Sequence, residues 1–580
     1  MQEKWFTDHP PSKRYPHYTR ANAGEVLPTP ASPLGQTYGF DNAIGHGFQE
    51  ASIVMGAYEE DDYRDGKPEM VTFFGGYFYI NMSCVRIQAV RNPAITVDQL
   101  DLAFFGDRPD TPPYEPHPKD EKPHLQEKID AHMQFVLTTS HWPELEEEKE
   151  RAAQIRADRP DLAWLTDDEI VAHLRNLHPY IRDFTTNQMV AATSSGIPPG
   201  MLGAVAEAIG DPTMPMRVLA GLGDVDSAAP SFALWELSRL VRGDGGLSAL
   251  FDEGIDGLLN RLETLDSPNA QQFKDDFDNF VYEYGSRGPN EWELSAHTWE
   301  TDPSIPLRTL DQVRKQPDEK NPQNGADNAS EDRQQVVEEV RKKLAEVGNE
   351  ELVGLFEGAL VGANQMVFRE RAKTSLVRVL HESRMAIREL GKRHADSGTV
   401  NDPEHIFMLL DEELESFVAD PSSYSALLHD RYENWLSLWN LTPPFFLRDG
   451  IIPPLTEWET ITPTFKSSLI EGDVLAGTAG CPGVVTGRAR IVRDPTSPPD
   501  LEPGDIMVAP LTDPAWTPLF LAVDGVVVNV GGQVSHAVIV SREMGIPCVV
   551  SVADATEQIQ DGATITVDGT NGNVTLIRNP

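Results

Sequence analysis

A chain of 580 residues is too long for one ordinary core, and its 40% apolar content is normal for a globular protein, so two to four folded domains are expected and wholesale disorder is excluded. Forty-eight Lys and Arg against 91 Asp and Glu give a net charge of −43, a surface that repels nucleic acid and anionic membranes; neither is an expected partner, and most of this acidity suits solubility or salt adaptation. Three distant cysteines (Cys84, Cys481, Cys548) exclude a disulfide framework and a CxxC metal site, and an N-terminus without an apolar core, with no run near the roughly 18 residues of a membrane span, sets the expectation of a cytoplasmic protein with no metal site.

Residues 1–124 are rich in Pro, Gly and aromatics and read as loop-rich. Within them Met70–Asn81 (MVTFFGGYFYIN) is β-prone on both sides of a glycine pair, which predicts a hairpin. Residues 125–440 read as helical, with apolar residues at three- and four-residue spacing over Asp167–Arg175, Ser231–Val241, Phe273–Tyr284, Arg333–Val347, Leu352–Leu390 and Ser422–Trp439. Gln316–Gln334 interrupts that pattern with a polar, low-complexity run, and a mobile loop over 316–334 is expected there. Pro443, Pro444, Pro453, Pro454 and Pro463 mark 441–469 as a stiffened linker. From 470 to 580 short β-branched runs alternate with turns around one amphipathic helix between Val534 and Met544, a small α/β domain. The fold class expected is thus α+β and multidomain: a mostly helical domain followed by a small α/β one.

The segment from Val526 to Gly545 reads strand, glycine turn, helix. Gly531 and Gly532 suit a turn free of side chains, and Ser535 is a good N-cap type, which puts His536 in the first helical turn. Unpaired N–H groups and the positive end of the helix dipole lie there and attract an anion. The same field disfavours a proton on the ring, so the imidazole stays neutral and nucleophilic. On these residues alone, a histidine packed for structural reasons fits the turn equally well.

The full string has more in it. Gly531-Gly532, Ser535-His536, the apolar helix, Ser541-Arg542-Glu543 and Gly545-Ile546-Pro547 closely resemble the signature of the swivelling phosphohistidine domain of the phosphoenolpyruvate-utilising enzymes. Gly480–Ala489 is similar to that domain's opening turn, with Cys481 where a small polar residue is usual, and Thr512–Pro518 also resembles the family. The resemblance implies that His536 carries a phosphoryl group covalently. Upstream, Asn22–Pro33 resembles the stretch that follows the ATP-grasp domain in rifampicin phosphotransferase-like members. Gly285–Glu291 is similar to a Gly-His-Arg-Gly loop of those members, with Ser286 in place of the histidine, and Arg369–Lys373 resembles a helix segment lining the acceptor side of the transfer site.

The expected machinery follows from that resemblance. His536, Arg369, Lys373 and Arg287 are the expected catalytic residues; Glu370, Glu291, His381 and His297 the substrate-binding candidates; Gly531, Gly532 and Ser535 the phosphate loop. Arg369 and Lys373 are four apart, and such a pair repels by a few tenths of a kcal/mol, a deficit that an anion between them reverses. A solvated basic face is the alternative, and an ordinary structural role is the alternative for Arg287, His297 and His381. The chain shows no glycine-rich phosphate loop, so it is expected to bind no cofactor alone and to receive the phosphoryl group of Mg-ATP through a separate ATP-grasp subunit, an arrangement that resembles phenylphosphate synthase. The expected acceptor is a small aromatic alcohol, a phenol or alkylphenol. An antibiotic or other alcohol as acceptor, and a phosphate-relay module without catalysis, are the alternatives.

Overall fold

The computed structural model describes residues 3–63, 67–93, 95–105, 108–265, 267–461, 469–532 and 535–580. The principal helices are α1 (Asp167–Ser194), α2 (Ala229–Gly243), α3 (Pro268–Tyr284), α4 (Ser304–Val313), α5 (Pro322–Val347), α6 (Glu350–Gly362), α7 (Asn364–Asp396) and α8 (His536–Met544). The chain forms two compact units: residues 1–194, 292–296 and 371–462 make the first, and residues 195–291, 297–370 and 463–580 the second. The architecture is α+β. No helix among the described residues is long and apolar enough to cross a membrane.

In the first unit the aromatic run folds as a hairpin of β2 (Val71–Phe74) and β3 (Tyr77–Asn81), turning at Gly75 and Gly76. Both glycines have positive φ, and a Cβ on Gly75 would lie 2.6 Å from the Leu455 and Trp458 side chains, so neither backbone angle nor space admits another residue. β1 (Tyr18–Thr19) joins β3 to β5 (Phe446–Leu447), giving the order β2-β3-β1-β5. The N-terminal region is therefore less loop-rich than its composition implies: it adds a wide π-helical stretch at Gly35–Ile44 and further helices at Gly45–Val54 and Met82–Arg91.

The expected linker divides. Residues 441–461 are built into the first unit, where β4 (Leu441–Thr442) pairs with β6 (Glu459–Thr460). The Tyr77 hydroxyl donates to the Leu438 and Leu441 carbonyls and that of Tyr79 to the Pro444 carbonyl, each at 2.8 Å, so buried tyrosines satisfy acceptors that proline-rich backbone leaves outside a ladder. Residues 462–468 of the expected linker lie outside the described residues.

The second unit holds a helical part and an α/β part. Leu234 of α2, Phe273, Phe277 and Phe280 of α3, Leu310 of α4 and Trp299 from the turn before α4 form one apolar cluster. The loop expected over 316–334 is not a loop: apart from a short 3-10 turn at Asp318–Lys320, α5 begins at Pro322 and runs unbroken to Val347. Asn321 caps it by accepting the Gln323 N–H at 2.9 Å, Pro322 occupies the first turn where its missing N–H is harmless, and Val336, Val337, Val340 and Leu344 bury one face. Polar composition concealed a capped helix. The helical spacing over Leu352–Leu390 belongs to two helices, α6 and α7, which meet at Ala363.

The α/β part contains β7 (Val474–Ala476), β8 (Thr478–Cys481), β9 (Val484–Ile491), β10 (Asp505–Ala509), β11 (Gly525–Val528), β12 (Cys548–Val550), β13 (Thr564–Asp568) and β14 (Asn573–Arg578). They form one sheet in the order β7-β14-β13-β9-β10-β11-β12-β8. The centre, β9 to β12, is parallel; β10, β11 and β12 are buried along their whole length, as strands covered on both faces are, whereas β9 carries Thr486, Arg488 and Arg490 and is only partly buried. This part packs on the helical part of its own unit: Trp235 of α2 and Val313 of α4 share a core with Leu519, Phe520, Val526 and Val538.

Candidate phosphoryl-carrier site

Parallel strands deliver their C-terminal ends to one edge of a sheet, where ligands of such folds bind. β10 and β11 are neighbours in register, Ala509 opposite Val528, so the segments that follow them emerge side by side. The first supplies Thr512, Asp513 and Thr517; the second supplies Gly531, Gly532, Ser535 and His536.

His536 is the first residue of α8 and is 9% exposed. The Thr512 Oγ1 lies 3.3 Å from its Nδ1 and the Thr517 Oγ1 lies 2.9 Å from its Nε2, so one loop brackets both ring nitrogens. Phe520 meets the ring edge to face at 6.2 Å. Ser535 takes the N-cap position, yet its side chain makes no capping bond, and among the described residues its buried Oγ has no hydrogen-bond partner. That hydroxyl and the first N–H groups of α8 form a donor set beside the imidazole. Gly531 is the more confined of the two glycines, because a Cβ there would come within 2.9 Å of the Ser535 Oγ and 3.3 Å of the Val550 Cβ; at Gly532 nothing among the described residues lies within 4 Å.

The Ser541-Arg542-Glu543 string serves the seating of α8. The Arg542 Nε donates to the Gly480 carbonyl at 2.9 Å, and burial pushes its guanidinium down to about 10. The Glu543 carboxylate accepts the Leu222 and Gly223 N–H groups at 3.2 and 3.3 Å; burial raises its carboxyl above the ordinary range against these bonds and the pull of Arg333. Cys481 donates to the Ser541 carbonyl at 3.3 Å and sits opposite Cys548 across β8 and β12. Both thiols are free and buried, and burial pushes each up to about 12, which makes them packing residues rather than nucleophiles.

The loop Gly285–Glu291 belongs to the same unit. Arg287 is buried, with its Nη1 3.1 Å from Glu291, so its charge already has a match. The Asn290 N–H, presented at a left-handed φ of 58°, donates to the Asp513 Oδ2 at 3.0 Å. His297 is exposed, and its carbonyl packs on Gly288, where a Cβ would stand 2.5 Å away. Arg369 and Glu370 lie in α7, with the Arg369 Nε 3.5 Å from the Glu370 Oε1. Lys373 and His381 follow in the same helix but belong to the first unit; His381 is buried, with its Nδ1 3.3 Å from the Arg384 Nη1. The threonine bracket, Asp513 and Glu543 went unassigned at the level of sequence. Thr512–Pro518 stood out there only as a family string, and nothing in its spacing says that two threonines close on a histidine from the next strand.

Comparison with known proteins agrees with this layout. Residues 184–370 match the rifampicin phosphotransferase fourth domain, and residues 501–572 match the mobile domain of the PEP-utilising enzymes. An uncharacterised protein of Mycobacterium tuberculosis is 36% identical over 219 residues, 38% of this chain and 24% of that protein. The rifampicin phosphotransferase of Streptomyces sviceus is 29% identical over 333 residues, 56% of this chain and 36% of that enzyme. The prodigiosin synthesizing transferase PigC of Serratia marcescens is 25% identical across 99% of this chain and 64% of its own length. The chain thus spans less than two thirds of each of these relatives. A mobile domain of this kind implies a phosphohistidine intermediate. The chain thus joins a segment similar to the fourth domain of rifampicin phosphotransferase to one similar to the mobile domain of the PEP-utilising enzymes.

Proposed function

We propose that the chain is the phosphohistidine-carrying part of an ATP-dependent phosphotransferase whose acceptor is a small aromatic hydroxyl, and that a separate ATP-grasp subunit supplies Mg-ATP. A ring nitrogen of His536 takes the β-phosphoryl group of ATP as AMP leaves, and water takes the γ-phosphate. The acceptor oxygen then attacks phosphorus, the N–P bond breaks back onto the imidazole, and the hydroxyl proton passes to a base, for which His297 and His381 are the candidates. Arg369 and Lys373, with Arg287, neutralise the transferring group, the main task in phosphoryl transfer. The observation that carries this reading is His536 at the start of α8, held at both nitrogens and tied through Thr512 and Asp513 to the Gly285–Glu291 loop. The rifampicin phosphotransferases among the relatives support the reaction class. The test is His536→Ala combined with an ATP-grasp partner: acceptor-dependent AMP release disappears, and full activity in that variant overturns the proposal.

A second reading rests on a relative that matches nearly the whole chain, a prodigiosin synthesizing transferase. In it the phosphoryl group from His536 activates an oxygen of a small molecule for displacement by a second substrate. Product analysis separates the two: phosphate retained on the product supports the first, and free phosphate with a coupled product the second.

A further inference from the structure

We propose that Asp513 and Glu543 are positioning residues, two carboxylates of the mobile domain that read backbone N–H groups of the helical part and so index His536 against the Gly285–Glu291 loop. The inference rests on the reading of His536 as phosphoryl carrier. Asp513 bridges two segments: its Oδ1 accepts the Ala515 N–H at 2.9 Å and fixes its own loop, while its Oδ2 accepts the Asn290 N–H at 3.0 Å. Its neighbour Thr512 touches the imidazole, so the position of the Asn290 backbone reaches the ring through two adjacent residues.

Glu543 lies seven residues after His536, about 10 Å along α8 at 1.5 Å per residue. It takes one N–H from Leu222 and one from Gly223. One contact at one end of a helix leaves it free to pivot; contacts near both ends fix its axis. Both contacts read main chain, so they constrain distance and direction without depending on the side chains of Asn290 or Leu222. The C-terminal end of α8 is set closely by shape as well. Gly325 of α5 packs on the Met544 backbone, where a Cβ would fall 2.2 Å from the Met544 carbonyl oxygen.

The test is amide hydrogen exchange on the full chain, comparing the native protein with Asp513→Ala, Glu543→Ala and the double variant. The Asn290 amide in the first, the Leu222 and Gly223 amides in the second and all three in the double variant are expected to exchange at least about tenfold faster, as loss of a bond to a charged acceptor implies. The β11 amides of Val526–Val528 keep their native rates, which separates lost seating from lost folding. Unchanged exchange at Asn290, Leu222 and Gly223, or equal acceleration at β11, overturns the proposal.

Gly325→Ala provides an independent arm, because it opposes the seating of α8 without touching either carboxylate; it accelerates the Leu222 and Gly223 amides, and native exchange there counts against the proposal. Potassium phosphoramidate gives a chemical readout of the same state: the imidazole displaces ammonia from phosphorus, forming the N–P bond as the reagent's own breaks. His536 is nearly buried when seated, so the double variant is labelled several-fold faster than the native chain. Failure of His536 to accept phosphorus in every variant counts against its carrier role, while the exchange data still decide the role of the two carboxylates.

Discussion

Glu148 gives a pH-dependent stability prediction whose sign follows from its surroundings. It sits in the helix Pro143–Ala157 of the first unit, buried; its Oε1 accepts the Asn187 Nδ2 at 2.7 Å, and among the described residues its Oε2 has no partner. Burial pushes its carboxyl from the ordinary 4.5 up to about 8, with Asp183 and Glu144 adding to the rise and Asn187 opposing it. In the unfolded chain the group ionises near 4.5, whereas the folded chain holds its proton until about 8. Its contribution is therefore full below 4.5 and is lost as pH climbs to 8, at about 1.4 kcal/mol per unit. Near neutral pH the loss is of order 3 kcal/mol. Glu148→Gln keeps the shape and the acceptor for Asn187 and carries no charge at any pH. The variant should match the native chain near pH 4.5, exceed it by roughly 3 kcal/mol at about pH 7, and keep a constant advantage above about 8. Denaturant unfolding of the first unit across that range measures the difference. A difference that is flat with pH, or that favours the native chain as pH rises, refutes the reasoning.

Other predictions follow from single contacts. Arg159 binds the buried Glu382 with two nitrogens at 2.5 and 2.8 Å, and Arg156 lies 3.7 Å from the same carboxylate, so Arg159→Met removes the nearer of two cations and should destabilise the first unit by about 1.5–3 kcal/mol in chemical denaturation, with Glu382→Gln restoring part of it. Asn321→Ala removes the α5 cap and should cost about 1 kcal/mol, read as faster amide exchange at Gln323 and Asn324; native protection there would mean that the Asn321 side chain does not hold the start of α5. Thr517→Val removes the hydroxyl at the His536 Nε2, should change stability by only about 1 kcal/mol, and should raise phosphoramidate labelling of His536; unchanged labelling would mean that the hydroxyl does not cover that nitrogen.

Sequence and structure agree where local chemistry decides and diverge where it does not. The Met70–Asn81 hairpin was legible because two glycines at positive φ separate two aromatic runs. His536 was legible as the start of a helix after a glycine turn. The 322–334 stretch was not, because its helix depends on the Asn321 cap and on Gly325 lying against Met544, neither of which composition reveals. β9 continues through Gly487, a residue that composition would mark as a break: a Cβ there would meet the Gly504 carbonyl at 2.1 Å, so the glycine allows a close strand approach. The Thr512 and Thr517 bracket needs the parallel register of β10 and β11, a long-range property. Arg287 and Glu291 were legible as charged residues of one loop, but their mutual pairing within the second unit emerges only from the fold.

The account stands most directly on the residue that accepts phosphorus. The decisive measurement incubates the full chain with Mg-ATP radiolabelled in its β-phosphate and an ATP-grasp partner, then maps the label by proteolysis. The account predicts one acid-labile, alkali-stable label on the peptide containing His536, absent from His536→Ala. Label that persists in that variant, or that maps to another residue, would contradict it.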